Sequence, residues 1–477
     1  MIWWILILAF LLRLVTLDQS LWLDEAINVL AAKNLSWFDF VARYPIGDFH
    51  PPGYFALLWP FTRIFGFSEI AVRMPSLLLG VGTVYLTYLL GKKLFDKKIA
   101  GLAALFLAVG PLHVFYSQEA RMYSLAAFSV ALSSYFLVKW VKGEPWARWA
   151  YLISAVLVFY SDYVAYLIFP AHLLYILFIE RKIMKEFILS WVSAFIFFLP
   201  WAVTTFPQQF LEGQKASLAL PGWKQVAGGA NFRDLSLVWV KTLVGRVSFE
   251  DKRIYAGVVG ALSLLWGVGG VRGILGSWGK LGKEYLLLFF WVGVPLTMAF
   301  LISFFIPMLS YFRMVFILPA FYLLAAFGFS RLPKHIFRPS VLLAVFFSLT
   351  FLGIYYTNPK FQREDWRGAV AFVESKLDDN STVLFESNSK FSPYVFYSND
   401  SSNVLAGLAK IPAGSNKDVQ NLNVLLQGKH EVYLFEYLVD ITDPGRFLEK
   451  ELESNGFSKS QVYDFAGVGF INFYRRL

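Results

Sequence analysis

The sequence predicts a polytopic α-helical membrane protein of about eleven spanning helices, with a small soluble α/β domain at its C-terminal end. Three observations carry that expectation. Of 477 residues, 57% are hydrophobic and 16% charged, with mean hydropathy +0.54, whereas soluble domains carry about 25% charged residues. Apolar runs of about 18 residues, the length that crosses a bilayer, recur up to residue 357. Beyond it the character changes: residues 358–477 hold 13 basic and 16 acidic side chains, against 30 and 17 in 1–357.

The runs lie near 1–17, 70–91, 99–116, 122–140, 148–163, 164–180, 186–204, 254–271, 284–306, 311–330 and 339–357, with Ser161 and Asp162 the only break between the fifth and sixth. Between them, PPGYFALLWPFTRIFGF (51–67) reads as an amphipathic helix on the membrane surface, because its apolar run is short and Pro60 and Arg63 interrupt it. Alternate loops, at 92–98, 139–148, 180–185, 272–283 and 331–338, together hold 16 Lys and Arg. Short basic loops tend to stay cytoplasmic. With eleven spans the N-terminus then starts inside. The first loop (18–69), the YSQEARMY turn, the 205–250 loop, the PMLSYFR turn and the tail all face outside. The uncharged N-terminal flank argues against a removable signal peptide.

The tail alternates strand-like and helix-like segments. STVLFES and HEVYLFEYL are β-rich, DWRGAVAFVESKL and DPGRFLEKELESNGF have helical spacing, and FAGVGFINFYRR supplies closing strands. Asp365 is placed to cap a helix and Trp366 to anchor at the membrane boundary. The plainest role for this domain is to cover the mouth of a site without doing chemistry.

Composition also excludes. With no cysteine there is no thiol nucleophile, disulfide framework or Cys-based metal site. The chain has no P-loop, Rossmann glycine pattern, internal repeat or low-complexity tract. Its net charge of +10 is spread over short loops between apolar runs, which does not point to nucleic acid. Chemistry falls to carboxylates, bases and hydroxyls.

Candidates cluster on the outer side. Asp24 and Glu25, in SLWLDEAINVL, either complement the dipole of an interfacial helix or divide catalytic labour: Asp24 takes a proton from a hydroxyl while Glu25 orients an acceptor or a metal. Adjacent helical residues point about 100° apart, which favours separate roles. In FHPPGYF a stiff turn presents His50, as a ligand contact or as a turn residue bonded to the backbone. Glu119 and Arg121 top a spanning helix, either as a functional pair or as a rim ion pair. Arg73 lies four residues after Glu69, the spacing of a pair within one helix. Tyr311 and Arg313, with Lys241 and Arg246 in the long outer loop, supply cations and a hydroxyl suited to a lipid-borne phosphate or to membrane anchoring.

In order along the chain, LWLDEA, HPPGYF, AVRMPSLLLGVG, SQEARMYSL, YFRMVFILPA and EDWRGAVAFV resemble the integral-membrane glycosyltransferases of the GT-C fold, in particular the protein O-mannosyltransferase and lipid A aminoarabinose transferase group. The resemblance is dense over about 1–140, returns around 311–375 and is architectural between. It implies inverting transfer of a sugar from a polyprenyl-phosphate donor to an acceptor hydroxyl on a lipid, glycan or protein, at the outer face of the cell membrane. Asp24 matches that family's essential first-loop aspartate, Glu25 its partner and Glu119 the acidic residue of its second outer loop. His50 sits where the mannosyltransferases also carry His-Pro-Pro, whereas the aminoarabinose transferases place a lysine nearby, so the phosphate contact in this loop stays open. The tail lacks the Trp-Trp-Asp motif of the oligosaccharyltransferase branch. Divalent metal use varies across the superfamily and two adjacent acids leave it undecided. A secondary transporter, with ionisable groups at mid-membrane, and a non-catalytic envelope scaffold are the other classes compatible with a polytopic chain.

Overall fold

The computed structural model describes residues 1–219, 228–275 and 283–476, without the side chains of 268–275, 283 and 284. The basic loop 272–283 lies largely outside the described residues. The chain divides into two compact units: Met1–Leu17, Ser36–Phe210 and Ala227–Thr357 form one, while Asp18–Leu35, Leu211–Val226 and Asn358–Leu477 form the other.

The first unit is helical. Among the described residues, six helices are long and apolar enough to cross a membrane: Glu69–Leu94, Tyr123–Val141, Arg181–Thr204, Tyr285–Ile302, Arg313–Ser330 and Lys334–Thr357. Helix α1 (Ile2–Leu14), Ala147–Ser161 and Val164–Ile179 are apolar but shorter. The run at 99–116 is two helices, Lys97–Val109 and Pro111–Tyr116. Proline lacks the N–H that would continue the first helix and suits the opening position of the second. Helix ends follow their capping residues: the Ser68 hydroxyl accepts from the Ala71 amide at 3.3 Å, and Asp96 accepts from the Lys98 and Ile99 amides at 2.7 and 2.9 Å.

Two buried arginines of this unit are engaged largely by backbone carbonyls. Arg13 donates to the Ala9 and Ala108 carbonyls at 2.9 and 3.1 Å and meets His113 Nδ1 at 2.6 Å. Arg73 is buried and donates to the Leu17 carbonyl at 2.9 Å. A buried cation costs several kcal/mol unless it is so engaged, so these arginines lock helices together.

The second unit holds a five-stranded sheet: β1 (Ser381–Phe385), β2 (Val404–Ala406), β3 (Glu431–Phe435), β4 (Phe457–Phe465) and β5 (Gly469–Arg476), in the order β2-β1-β3-β5-β4. β1 pairs in parallel with β2 and β3, and β5 runs antiparallel to β3 and β4. Gly467 and Gly469, at φ 72° and 85°, make the tight return between the last two strands. Asp365 caps the helix Trp366–Glu374 by accepting from the Gly368 amide at 3.0 Å, as its position predicts. Trp366 departs from expectation. It is fully buried, stacked on Phe435 with ring centroids 5.9 Å apart and edge-on to Tyr437 at 4.9 Å, so it anchors the domain core rather than a membrane boundary. Helix α2 (Leu23–Asn34) also belongs to this unit, against the helix Ser392–Tyr397, with Leu23 packed on the Trp366 cluster.

Candidate active site

Asp24 and Glu25 occupy the first turn of α2, which follows Trp22 in extended conformation. Asp24 is half-buried and Glu25 fully buried, so the adjacent carboxylates stand in different environments. Trp22 makes no side-chain cap bond, and the polar groups at this end come from the C-terminal domain. The Leu21 amide donates to the Tyr397 hydroxyl at 2.7 Å, and the Leu23 amide donates to the Glu364 carboxylate. Upstream, the Arg363 amide donates to Gln19 Oε1 at 2.9 Å, the Arg367 amide to Ser20 Oγ at 3.1 Å, and the Arg367 guanidinium to the Asp18 carbonyl at 2.5 Å. Glu364 also accepts from Trp366 Nε1 at 2.7 Å and from the Tyr437 hydroxyl at 2.9 Å. Burial pushes its carboxyl up to about 7; these donors hold it back and the Asp24 charge pushes it further. Glu364 and Tyr437 line a cavity of about 460 Å³.

In the helical unit, helix α3 (Pro45–Asp48) ends at Phe49, which takes a left-handed backbone, and helix α4 (Gly53–Phe65) follows the two prolines. Gly53 is required there, since a Cβ would stand 2.4 Å from the Tyr160 carbonyl oxygen. Between the helices, His50 Nδ1 meets Asp48 Oδ1 at 2.6 Å, while Arg121 donates to Asp48 Oδ2 at 2.8 Å. Burial opposes ionisation of Asp48, but Arg121 and His50 outweigh it and hold the carboxyl below its usual range. Gln209 donates to the Pro45 and His50 carbonyls at 2.6 and 3.0 Å and accepts from the Tyr163 hydroxyl. His50 is therefore oriented by a carboxylate on one side and its backbone by an amide on the other. Glu119 and Arg121 are both buried, not rim residues.

A third group gathers around Tyr116, whose ring lies 5.1 Å from that of Tyr123 and 6.5 Å from that of Tyr311. Arg246 and Glu119 lie within electrostatic reach of its hydroxyl, and the Arg246 guanidinium stands 5.1 Å over the Phe115 ring. Lys241 donates to the Arg246 carbonyl at 3.3 Å. Burial, then the neighbouring Arg246 charge, lowers the Lys241 ammonium to about 8. Arg313 donates to the Pro307 carbonyl at 2.8 Å and lies 5.6 Å from the Phe312 ring centre.

Within the helical unit the structure thus joins His50 with Arg121, and sets Glu119 and Tyr311 each within electrostatic reach of Tyr116. Gln209 and Glu364 belong to these clusters with no sign of it in the sequence. For Asp48 a signal existed in its spacing of two from His50. Gln209 reaches Pro45 and His50 across more than 150 residues, and Glu364 reaches Leu23 across more than 300, with no local trace. Among the described residues no group of three or more His, Asp or Glu is arranged to hold a metal ion.

The bundle of apolar helices with a small mixed sheet domain is the GT-C fold, shared with the solved structures named below. Residues 49–204 match the family described as dolichyl-phosphate-mannose-protein mannosyltransferase. The chain is 30% identical over 187 residues to the candidate mannosyltransferase YkcB of Bacillus subtilis (strain 168), covering 37% of this chain and 26% of YkcB. It is 28% identical over 201 residues to YycA of the same organism, covering 38% and 29%. The matched segment thus spans little more than a quarter of either relative. In structure the chain is similar to ArnT from Cupriavidus metallidurans bound to undecaprenyl phosphate, with TM-score 0.62, 12% identity and coverage of 98% of this chain and 96% of that one. It is also similar to the oligosaccharyltransferase AglB from Archaeoglobus fulgidus in complex with an inhibitory peptide and a dolichol-phosphate, with TM-score 0.55, 12% identity and coverage of 99% and 74%. At such identity the likeness is one of fold.

Proposed function

We propose that the chain is a glycosyltransferase that moves a sugar, with inversion, from a polyprenyl-phosphate donor to a hydroxyl of a lipid, glycan or protein at the outer face of the plasma membrane. The acceptor oxygen attacks the anomeric carbon opposite the phosphate. The bond from that carbon to the phosphate oxygen breaks, polyprenyl phosphate leaves with the electron pair, and the acceptor proton passes to Asp24. Glu25 orients the acceptor. His50, held by Asp48, and Glu119 and Arg121 shape the sugar site, while Tyr311 and Arg313 contact the donor near its phosphate.

The observation that carries this reading is the crowding of Lys241 against Arg246. Two cations held together, with Lys241 lowered to about 8 by burial and by its neighbour, gain most when an anion arrives between them. A departing phosphate, whose negative charge grows as the glycosidic bond breaks, is such an anion. Undecaprenyl phosphate bound to ArnT and dolichol-phosphate bound to AglB, proteins of the same fold, support this donor class. The basic loops on the opposite side support an external C-terminal domain. The test is turnover by purified protein of a panel of undecaprenyl-phosphate hexoses and pentoses against the corresponding nucleotide sugars. Sugar should leave the lipid donors alone; efficient use of a nucleotide sugar contradicts the reading.

A further inference from the structure

At Glu364 one carboxylate collects three donors from three elements. The Leu23 amide comes from the start of α2, Trp366 Nε1 from the start of the next helix, and the Tyr437 hydroxyl from beyond β3. The first amides of a helix have no partner within it, and a negative group there is favourable. Trp22 makes no side-chain cap bond, so Glu364 does that work from more than 300 residues away.

The surroundings of Glu364 leave it little freedom. A Cβ on Gly467, itself at φ 72°, would stand 2.9 Å from both the Cα and the Cγ of Glu364, so the β4–β5 turn closes directly on this side chain. On the flank, the bonds from 363 and 367 to 18, 19 and 20 lace the same two segments together. The charge of Asp24 reaches Glu364 as well.

We propose that Glu364 is a positioning residue, whose carboxylate seats the N-terminus of α2 and thereby fixes where Asp24 stands. The C-terminal domain is then a working part of the transfer machinery and not a cover. Three donors converging on one group need an acceptor, and an ionised carboxylate offers only acceptor sites. Glutamine, equal in shape, turns an NH₂ towards one of the donors. The consequence passes through Leu23 to the residue beside it, and a misplacement on the order of 1 Å in a reacting group costs up to ~100-fold in rate.

This inference rests on Asp24 being the base, so the experiment separates the two. Full-length protein in liposomes is given the undecaprenyl-phosphate sugar that wild type turns over, and kcat and donor KM are measured for Asp24→Asn, Glu364→Gln, Leu23→Pro and the Glu364→Gln/Leu23→Pro double variant. Leu23→Pro removes only the capped amide on the backbone, at the first helical position where proline is tolerated. It follows Trp22 at ψ 175°, which a proline neighbour accepts. Expected are kcat losses of about 10- to 100-fold in both single variants, donor KM within threefold of wild type, and a double variant no slower than the worse single one. Full kcat in Glu364→Gln with an inactive Asp24→Asn overturns the positioning role alone. Multiplying losses in the double variant do the same. An active Asp24→Asn, or a wild type inert towards every lipid donor, overturns the underlying reading and this inference with it.

Discussion

Removing the Arg121 guanidinium by Arg121→Met tests whether the Asp48 cluster is a structural keystone of the His50 turn. The two side chains meet at 2.8 Å with exposures of 5% and 9%, so both groups are largely withdrawn from solvent. Breaking a buried pair from one side leaves an uncompensated charge and costs ~3–5 kcal/mol. His50, 2.6 Å from the other Asp48 oxygen, remains as a donor, which places the cost near the lower end, about 3 kcal/mol. At roughly 2 °C per kcal/mol for a large unit, the melting temperature in detergent should fall by about 6 °C. Adding Asp48→Asn removes the stranded charge and should restore about half of that loss. The pH dependence has a definite sign. The Asp48 carboxyl is held below its ordinary 3.8, so its contribution is present above that value and fades as pH falls through the lowered one. Wild type and Arg121→Met should differ at pH 5–8 and converge in acid. An unchanged melting temperature in Arg121→Met, or no recovery in the double variant, refutes the reasoning.

Glu386 is fully buried, and burial, then the charges of Glu449 and Asp443, push its carboxyl up to about 9. It is therefore neutral at pH 7, and its contribution to stability, full below the ordinary 4.5, is lost as pH rises through about 9. Glu386→Gln should melt with wild type at pH 4 and increasingly above it as pH rises towards 10; equal melting at pH 10 rules this out. Lys241 must be protonated to attract a phosphate, so binding of a lipid-linked donor should weaken as pH rises through about 8, and Lys241→Arg should remove that dependence up to pH 10; a wild type insensitive to pH contradicts it. Gly467→Ala places a Cβ 2.9 Å from Glu364 in a left-handed backbone and should destabilise the protein by ~1–3 kcal/mol, with kcat falling as in Glu364→Gln; normal kcat in the folded protein would count against the clamp.

What local chemistry dictates was legible in the sequence. Apolar length marked the helices, Asp365 announced a cap, and FAGVGFINFYRR announced the two closing strands. Trp366 departs from expectation because an indole beside a charged segment after the last apolar run has the same sequence signature at an interface as in a core, and only the ring of Phe435 decides. The Gly110–Pro111 break was visible, yet hydropathy averages over it. Arg73 shows the opposite limit, since spacing points only to Glu69 while its bond to the Leu17 carbonyl, in the turn after α1, spans 56 residues of sequence. The same applies to the site: Asp24 and Glu25 stood out as carboxylates among apolar residues, but what seats them, Glu364, lies more than 300 residues downstream with no period or motif linking the two.

The central claim, a carboxylate base acting on a lipid-phosphate donor, is tested most directly by Asp24→Asn in full-length protein, with sugar transfer from an undecaprenyl-phosphate donor and binding of that donor measured side by side. Asparagine keeps the shape of the side chain and cannot take the acceptor proton, so transfer should fall by about 100- to 10,000-fold while donor affinity stays within threefold. Transfer at the wild-type rate, or loss of donor binding in step with loss of transfer, would contradict the assignment of Asp24 as the base.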